Sequence, residues 1–437
     1  MTLKFGTDGV RGDARELTDE LVASLGRAAA RVLPGGTFLV GRDTRESGPT
    51  VFAALAAGLM AEGADVVDLG VLPTPAVAAL SQERELPGAM ISASHNPYTD
   101  NGIKFFASGG RKLSDAVEEE LEALIGEPAT GVSAGQLSRE PDATAVYERR
   151  LLESLGGRRL DGLHVVLDCA NGAASAVAPD AFRDAGARVE VIHDAPDGTN
   201  INAGCGSTHP QDLQAAVVAS GADVGLAFDG DADRVLAVDA EGNLVDGDHM
   251  IAICAIDMHA ERRLTDATVV VTVMTNLGFR LAMAERGISV VETQVGDRYV
   301  LEALEEGGWS LGGEQSGHVI FRDLATTGDG LLTGLQLLDA VQRAGRPLAA
   351  LAAEAMTRLP QVLVNVRVAR REGVEESPAV SNEVAAVEAE LGDHGRVLLR
   401  PSGTEPVIRV MVEAPSQQQA EAAAGRLAAA VEAASTP

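Results

Sequence analysis

The stretch Leu86-Pro87-Gly88-Ala89-Met90-Ile91-Ser92-Ala93-Ser94-His95-Asn96-Pro97 runs from an apolar segment into two hydroxyls, an imidazole, an amide and a proline. Ala89-Met90-Ile91 suits a short buried strand, and Asn96-Pro97 forces extended or turned backbone that stops any helix. Ser94 is thereby expected at the carboxyl end of a strand. Open α/β sheets gather ligands at those ends, so Ser94 is a candidate phosphate carrier or nucleophile. Read alone, Ser-x-Asn-Pro is more commonly a serine closing a turn.

On either side of this stretch the chain alternates helix and strand in βαβ order, which predicts an α/β fold. The order helix, glycine, strand, then strand and polar loop occurs three times, with Gly63, Gly186 and Gly287 ahead of loops at Ser94, Asp229 and Glu314. A divergent repeat of such long period predicts separate domains rather than a stacked solenoid. The boundaries expected are 1–145 for the Ser94 domain, 146–250 for the Asp229 domain and 251–360 for the Glu314 domain. Residues 361–437 read as a smaller α+β domain that ends in an Ala-rich helix over 417–433. Within the first domain, Asn101-Gly102 reads as a tight hairpin-type turn ahead of Lys104, and residues 128–141 read as a loop.

Length and composition bound the function. A chain of 437 residues exceeds one ordinary core and fits three or four domains. Hydrophobic residues at 46% and charged residues at 23% describe a soluble globular protein, and only 3% aromatics leaves the cores to Ala, Val and Leu. The formal charge of −29 disfavours nucleic acid and anionic membranes as partners, so an anionic substrate needs a local basic pocket. Met1 to Gly6 lacks an apolar leader and no run approaches a bilayer span, which predicts a cytoplasmic protein. Cys169, Cys205 and Cys254 are too far apart for a zinc or disulfide pattern and read as ordinary reduced thiols.

Four constellations carry chemistry. Asp229, Asp231 and Asp233 follow an apolar strand at alternate positions, where three carboxylates can converge on one hard cation. An EF-hand is excluded, because Arg234 stands where its glycine and Ala240 where its glutamate would be. All-oxygen ligands beside a phosphate favour magnesium. Arg400-Pro401-Ser402-Gly403-Thr404 is a basic, hydroxyl-rich turn of the type that wraps phosphate, with Arg409 on the strand beyond. Glu314, Ser316 and His318 offer a sugar a carboxylate, a hydroxyl and an imidazole, although a lone histidine is more often structural. The opening Phe5-Gly6-Thr7-Asp8-Gly9-Val10-Arg11-Gly12 is a glycine-rich loop around Arg11. There is no G-x-x-x-x-G-K-[ST] loop, and Ser94 lacks the glycines of a nucleophile elbow.

Taken together, Phe5–Gly12, Ile91–Pro97, Asp229–Arg234, Gly313–His318 and Arg400–Pro406 strongly resemble, in order and along the whole chain, the motifs of the α-D-phosphohexomutases. The first and fourth motifs look like the branch acting on glucosamine phosphates. The resemblance implies three similar α/β domains with mixed sheets and a smaller C-terminal domain around a central cleft. Ser94 would be the phosphorylated residue required for activity, and Asp229, Asp231 and Asp233 would hold one Mg²⁺ with a phospho-Ser94 oxygen as a further ligand. Glu314 and Ser316, with His318 beside them, would bind sugar hydroxyls, while Arg400, Ser402, Gly403, Thr404 and Arg409 would hold the non-reacting phosphate. Lys104 and His95 are the candidates for proton transfer, Arg234 stands with them as catalytic, and Arg11 and Arg42 would face the substrate. The implied reaction interconverts glucosamine 6-phosphate and glucosamine 1-phosphate through a bound 1,6-bisphosphate, for UDP-N-acetylglucosamine and cell-wall precursor synthesis. A mannose or glucose phosphate mutase of the same family and a Mg²⁺-dependent sugar phosphatase are the alternatives. The partners implied are the phosphosugar and its bisphosphate, with a homodimer left open.

Overall fold

The structure is a computed structural model and describes residues 9–368, 373, 374, 376–401 and 406–435. The chain forms two compact units, one of Met1–Met274 with Ile288–Ala355 and one of Thr275–Gly287 with Met356–Pro437.

The larger unit contains three sheets built to one plan. In the first, Thr37–Arg42 lies between Asp65–Val71 and Gly88–Ile91, parallel to both, and Asp100–Ala107 returns antiparallel beside Gly88–Ile91. His164–Asp168, Arg188–Ile192, Val224–Phe228 and Val235–Asp239 repeat that arrangement in the second. Thr268–Thr272, Ser289–Thr293, Leu311–Gly313 and Val319–Phe321 repeat it in the third. Parallel strands are covered on both faces, which is why Gly88–Ile91, Val224–Phe228 and Leu311–Gly313 are continuous buried runs. An antiparallel neighbour needs no crossover helix, so a short loop joins third strand to fourth. Ser94, the three aspartates and Glu314 all lie on this same connection, at the carboxyl end of parallel strands. Gly63, Gly186 and Gly287 have φ of 82°, 108° and 71° and each lies two residues past the end of its helix. That is the left-handed position at which helices commonly end on glycine.

Two sequence expectations fail in the first domain. Asn101-Gly102 is not a turn but lies inside the strand Asp100–Ala107. Gly102 is there for close packing, because a Cβ would lie 2.6 Å from the Val10 carbonyl oxygen and 2.8 Å from that of Ser92. The stretch 128–141 is not wholly loop, since Leu137–Arg139 adds a strand parallel to Asp65–Val71.

In the smaller unit Val407–Glu413 is the central strand, antiparallel to both Gln361–Arg367 and Arg396–Pro401. Val366, Ile408, Val410 and Val412 join Val380, Val387, Leu427 and Val431 in its apolar core. Helix Leu277–Glu285 belongs to this unit for an electrostatic reason. The buried Glu413 carboxylate accepts the Leu277 N–H at 2.9 Å and the Asn276 amide at 3.2 Å, and Arg396 Nε lies 3.1 Å away. A carboxylate at a helix N-terminus is favoured by the orphan N–H groups there. No helix among the described residues is long and apolar enough to cross a membrane.

Candidate active site

Ser94 is fully buried and its φ is 52°, a left-handed conformation uncommon for a residue with a side chain. The backbone around it is fixed by Arg45, whose side chain is itself buried. Arg45 Nη2 donates to the carbonyls of Ser94 at 2.8 Å and Asn96 at 2.9 Å, while Nη1 donates to Asp100 at 2.9 Å and also to Pro97. Its Nε pairs with Asp43 at 2.9 Å, and Asp43 accepts the Ser92 hydroxyl at 2.6 Å. The Asn202 amide donates to the same Ser94 and Asn96 carbonyls at 2.9 and 3.1 Å. Strained backbone of this type persists only where its surroundings over-determine it.

The Ser94 hydroxyl donates to Asp229 Oδ2 at 2.6 Å. Asp229, Asp231 and Asp233 are buried, and one oxygen from each lies within 4.8 Å of the others. The Lys104 ammonium lies 2.8 Å from Asp231 Oδ2 and 3.3 Å from Asp233 Oδ2, and the Thr74 hydroxyl donates to Asp231 at 2.6 Å. Asp231 Oδ1 and Asp233 Oδ1 are buried with no hydrogen-bond partner. Burial, then the neighbouring Asp233 and Asp231, push the Asp229 carboxyl well above the usual range. Burial also acts against ionised Asp233, but Lys104 and then His318 outweigh it and hold that carboxyl low. Three buried carboxylates with two orphaned oxygens fit a hard divalent cation.

His95 Nδ1 lies 3.5 Å from Ser94 Oγ and 3.4 Å from Arg234 Nη1. Burial, then the charges of Arg234 and Arg11, lower the His95 pKa, which favours a neutral ring able to accept a proton. Arg11 lies on the strand Val10–Asp13 opposite Gly102. In the third loop Glu314 Oε1 accepts the Gly296 N–H at 3.1 Å, and the Ser316 hydroxyl lies 3.5 Å from Glu314 Oε2.

Two expected substrate contacts are engaged elsewhere. Arg42 pairs with Asp68 at 2.7 Å and its guanidinium lies 5.0 Å above the Phe52 ring, so it is Arg45, not Arg42, that reaches the Ser94 loop. His318 is buried behind its loop, where Nε2 accepts the Gly328 N–H at 3.0 Å and Nδ1 lies 3.8 Å from Asp233 Oδ2. Burial lowers the His318 pKa, but Asp297 and then Asp233 outweigh it and the net shift is upward. Its ring lies against the aspartate loop, between Asp233 and Asp297.

In the smaller unit Arg400 and Arg409 are directly opposed on adjacent strands, with Asn365 opposite Arg409 on its other side. Burial and then Arg409 lower the Arg400 pKa. Ser402, Gly403 and Thr404 lie outside the described residues. Sequence reasoning missed Arg45, Thr74 and Asn202. Only Arg45 carried a signal, as a second arginine just past a strand end.

Four family descriptions match consecutive parts of the chain. They are phosphoglucomutase/phosphomannomutase alpha/beta/alpha domain I over residues 2–130, domain II over 145–242, domain III over 246–359 and the C-terminal domain over 363–430. The phosphoglucosamine mutase of Thermobifida fusca (strain YX) is 58% identical over 440 residues, 98% of each chain. That of Saccharopolyspora erythraea is 58% identical over 439 residues, again 98% of each. Among solved structures, a phosphoglucomutase/phosphomannomutase family protein from Burkholderia thailandensis superposes with a TM-score of 0.84 at 27% identity, over 98% of this chain and 97% of that one. The N-acetylphosphoglucosamine mutase of Aspergillus fumigatus, solved with GlcNAc-6P and magnesium, shares the fold with a TM-score of 0.72 at 19% identity, over 100% and 96%.

Proposed function

The chain belongs to the phosphoglucomutase/phosphomannomutase family, and from that premise we propose that it interconverts glucosamine 6-phosphate and glucosamine 1-phosphate through a phosphorylated Ser94. The observation that carries this reading is the Ser94 hydroxyl 2.6 Å from Asp229, one member of a buried carboxylate triad. The glucosamine assignment is supported by relatives of 54–58% identity that bear that name.

In the forward direction the O1 oxygen of glucosamine 6-phosphate attacks the phosphoryl group on Ser94. The O1–phosphorus bond forms as the bond to Ser94 Oγ breaks. The bound 1,6-bisphosphate then reorients, Ser94 recovers the 6-phosphoryl group, and glucosamine 1-phosphate leaves. Mg²⁺ held by Asp229, Asp231 and Asp233 would neutralise charge on the transferring group. Lys104 serves as a cation on two of those carboxylates. His95, lowered in pKa and 3.5 Å from Ser94 Oγ, takes the sugar hydroxyl proton. Arg234 and Arg11 supply positive charge beside that ring, Glu314 and Ser316 hold sugar hydroxyls, and Arg400 and Arg409 hold the non-reacting phosphate together with residues 402–404.

The test is kcat/KM for the glucosamine, glucose and mannose phosphate pairs. The expected result is a preference for glucosamine. A preference for mannose or glucose would move the chain to another branch of the family, and release of inorganic phosphate without isomerisation would make it a phosphatase.

A further inference from the structure

Three segments of the second domain bring a carboxylate, an imidazole and a thiol together. Asp168 ends the strand His164–Asp168, His193 follows the strand Arg188–Ile192, and Cys205 precedes the short turn Gly206–Thr208. The two strands are parallel neighbours with Asp168 opposite Ile192, so their carboxyl ends lie side by side. One ligand atom from each of Asp168, His193 and Cys205 lies within 4.8 Å of the others. Asp168 also receives the Ala170 N–H at 2.9 Å and the Gly206 N–H at 2.8 Å, one on each oxygen. Each oxygen keeps a second lone pair.

The orientation of His193 is decisive. Its Nε2 lies 3.3 Å from Asp212 Oδ2, while its Nδ1 faces Asp168 Oδ1 at 3.1 Å. Nδ1 is buried and makes no hydrogen bond. In the tautomer that carries its proton on Nε2, beside Asp212, the ring turns a bare Nδ1 lone pair toward the Asp168 carboxylate. Two lone pairs held face to face away from water need a positive charge between them, a proton or a metal ion. A carboxylate that fixes the outer nitrogen is also the arrangement found around metal-ligating histidines. The backbone is committed to this geometry, for Ala170, Asn171, His193 and Asn202 all have φ between 48° and 58° without being glycine.

We propose that Asp168, His193 and Cys205 bind one divalent transition-metal ion of the zinc type, with water as the remaining ligand. Sulfur, nitrogen and oxygen donors together suit such an ion and not magnesium, which the all-oxygen triad at Asp229 suits. As the bond forms, the Cys205 thiol proton leaves to solvent and the sulfur binds as thiolate. The His193 side chain, 26% exposed, lies on the access route. The ion ties together three segments and so pins residues 200–206, and Asn202 in that stretch holds the Ser94 and Asn96 carbonyls. Its role is to brace the loop that presents Ser94.

The test uses the full-length protein saturated with Mg²⁺ and titrated with Co²⁺, the spectroscopic substitute for zinc. One equivalent should bind with a thiolate-to-cobalt charge-transfer band in the near ultraviolet and should be displaced by Zn²⁺. Cys205→Ser should abolish that band and Cys169→Ser should keep it. Asp212→Asn changes a surface residue and should weaken Co²⁺ binding roughly 10- to 100-fold without loss of folding. Absence of the band in the parent protein, its persistence in Cys205→Ser, or unchanged affinity in Asp212→Asn would each overturn the proposal.

Discussion

Ser94 sits in a buried loop whose carbonyls are held by the Arg45 guanidinium and the Asn202 amide, whereas Arg400 and Arg409 face each other across two strands, both only partly buried. The first region spends a left-handed backbone and a buried arginine on fixing one oxygen. The second sets two arginines directly opposite each other on adjacent strands, where burial and then Arg409 lower the Arg400 pKa. On the proposed function, the difference follows from two tasks. Transfer of a phosphoryl group needs an attacking oxygen placed to within a fraction of an ångström. Holding a phosphate that does not react needs charge in a geometry that accepts either end of a bisphosphate.

The sharpest way to break this contrast is Ser94→Ala. Turnover should fall on the order of 10³-fold or more, with circular dichroism unchanged and phosphosugar still bound. Near-parental activity would remove Ser94 from the chemistry.

Next in size is Arg45→Lys. A lysine offers three donors from one point and cannot reproduce the fork that reaches Ser94, Asn96, Pro97 and Asp100. We expect kcat to fall about 10²-fold with KM little changed, because the loss is one of placement. A rise in KM at constant kcat would mean that Arg45 acts through binding.

Arg400→Ala should show the opposite split. One charge-assisted phosphate contact contributes about 1.5–3 kcal/mol, so KM should rise roughly 10-fold to 100-fold with the smaller change in kcat. Equal losses in both mutants' kcat would erase the distinction between the two regions.

The smallest effect concerns stability away from both. Burial raises the Asp329 pKa to about 6, even though Asp329 caps its helix at Leu332 and accepts the Tyr147 hydroxyl at 2.8 Å. A carboxyl raised in the folded state stabilises fully below its unfolded pKa near 4, and that contribution is lost as pH rises through 6. The loss amounts to roughly 3 kcal/mol by neutral pH. Asp329→Asn removes the titration, so its Tm relative to the parent should improve steadily between pH 4 and 7. A pH-independent difference would contradict the assignment.

Much of this architecture is legible in the sequence because an apolar run that stops at Ser92, Asp229 or Glu314 marks a strand end, and three such stops share one spacing plan. Gly102 misleads, because a glycine needed for close packing looks in sequence like one needed for a turn. Arg42 and Arg45 are indistinguishable by position. Only the folded chain decides that one pairs with Asp68 and the other enters the Ser94 loop. Asn202 and Thr74 reach their partners across 108 and 157 residues, and no local pattern encodes such contacts. The same holds for Asp168, His193 and Cys205, whose spacing resembles no metal motif although their ligand atoms meet.

The most direct measurement of the central claim is phosphoryl transfer itself. Protein incubated with Mg²⁺ and glucosamine 1,6-bisphosphate labelled in its phosphates should acquire label on the peptide containing Ser94. On addition of unlabelled glucosamine 6-phosphate, that label should pass into the sugar phosphates and not into inorganic phosphate. Label on any other residue, or its quantitative release as inorganic phosphate, would contradict the account.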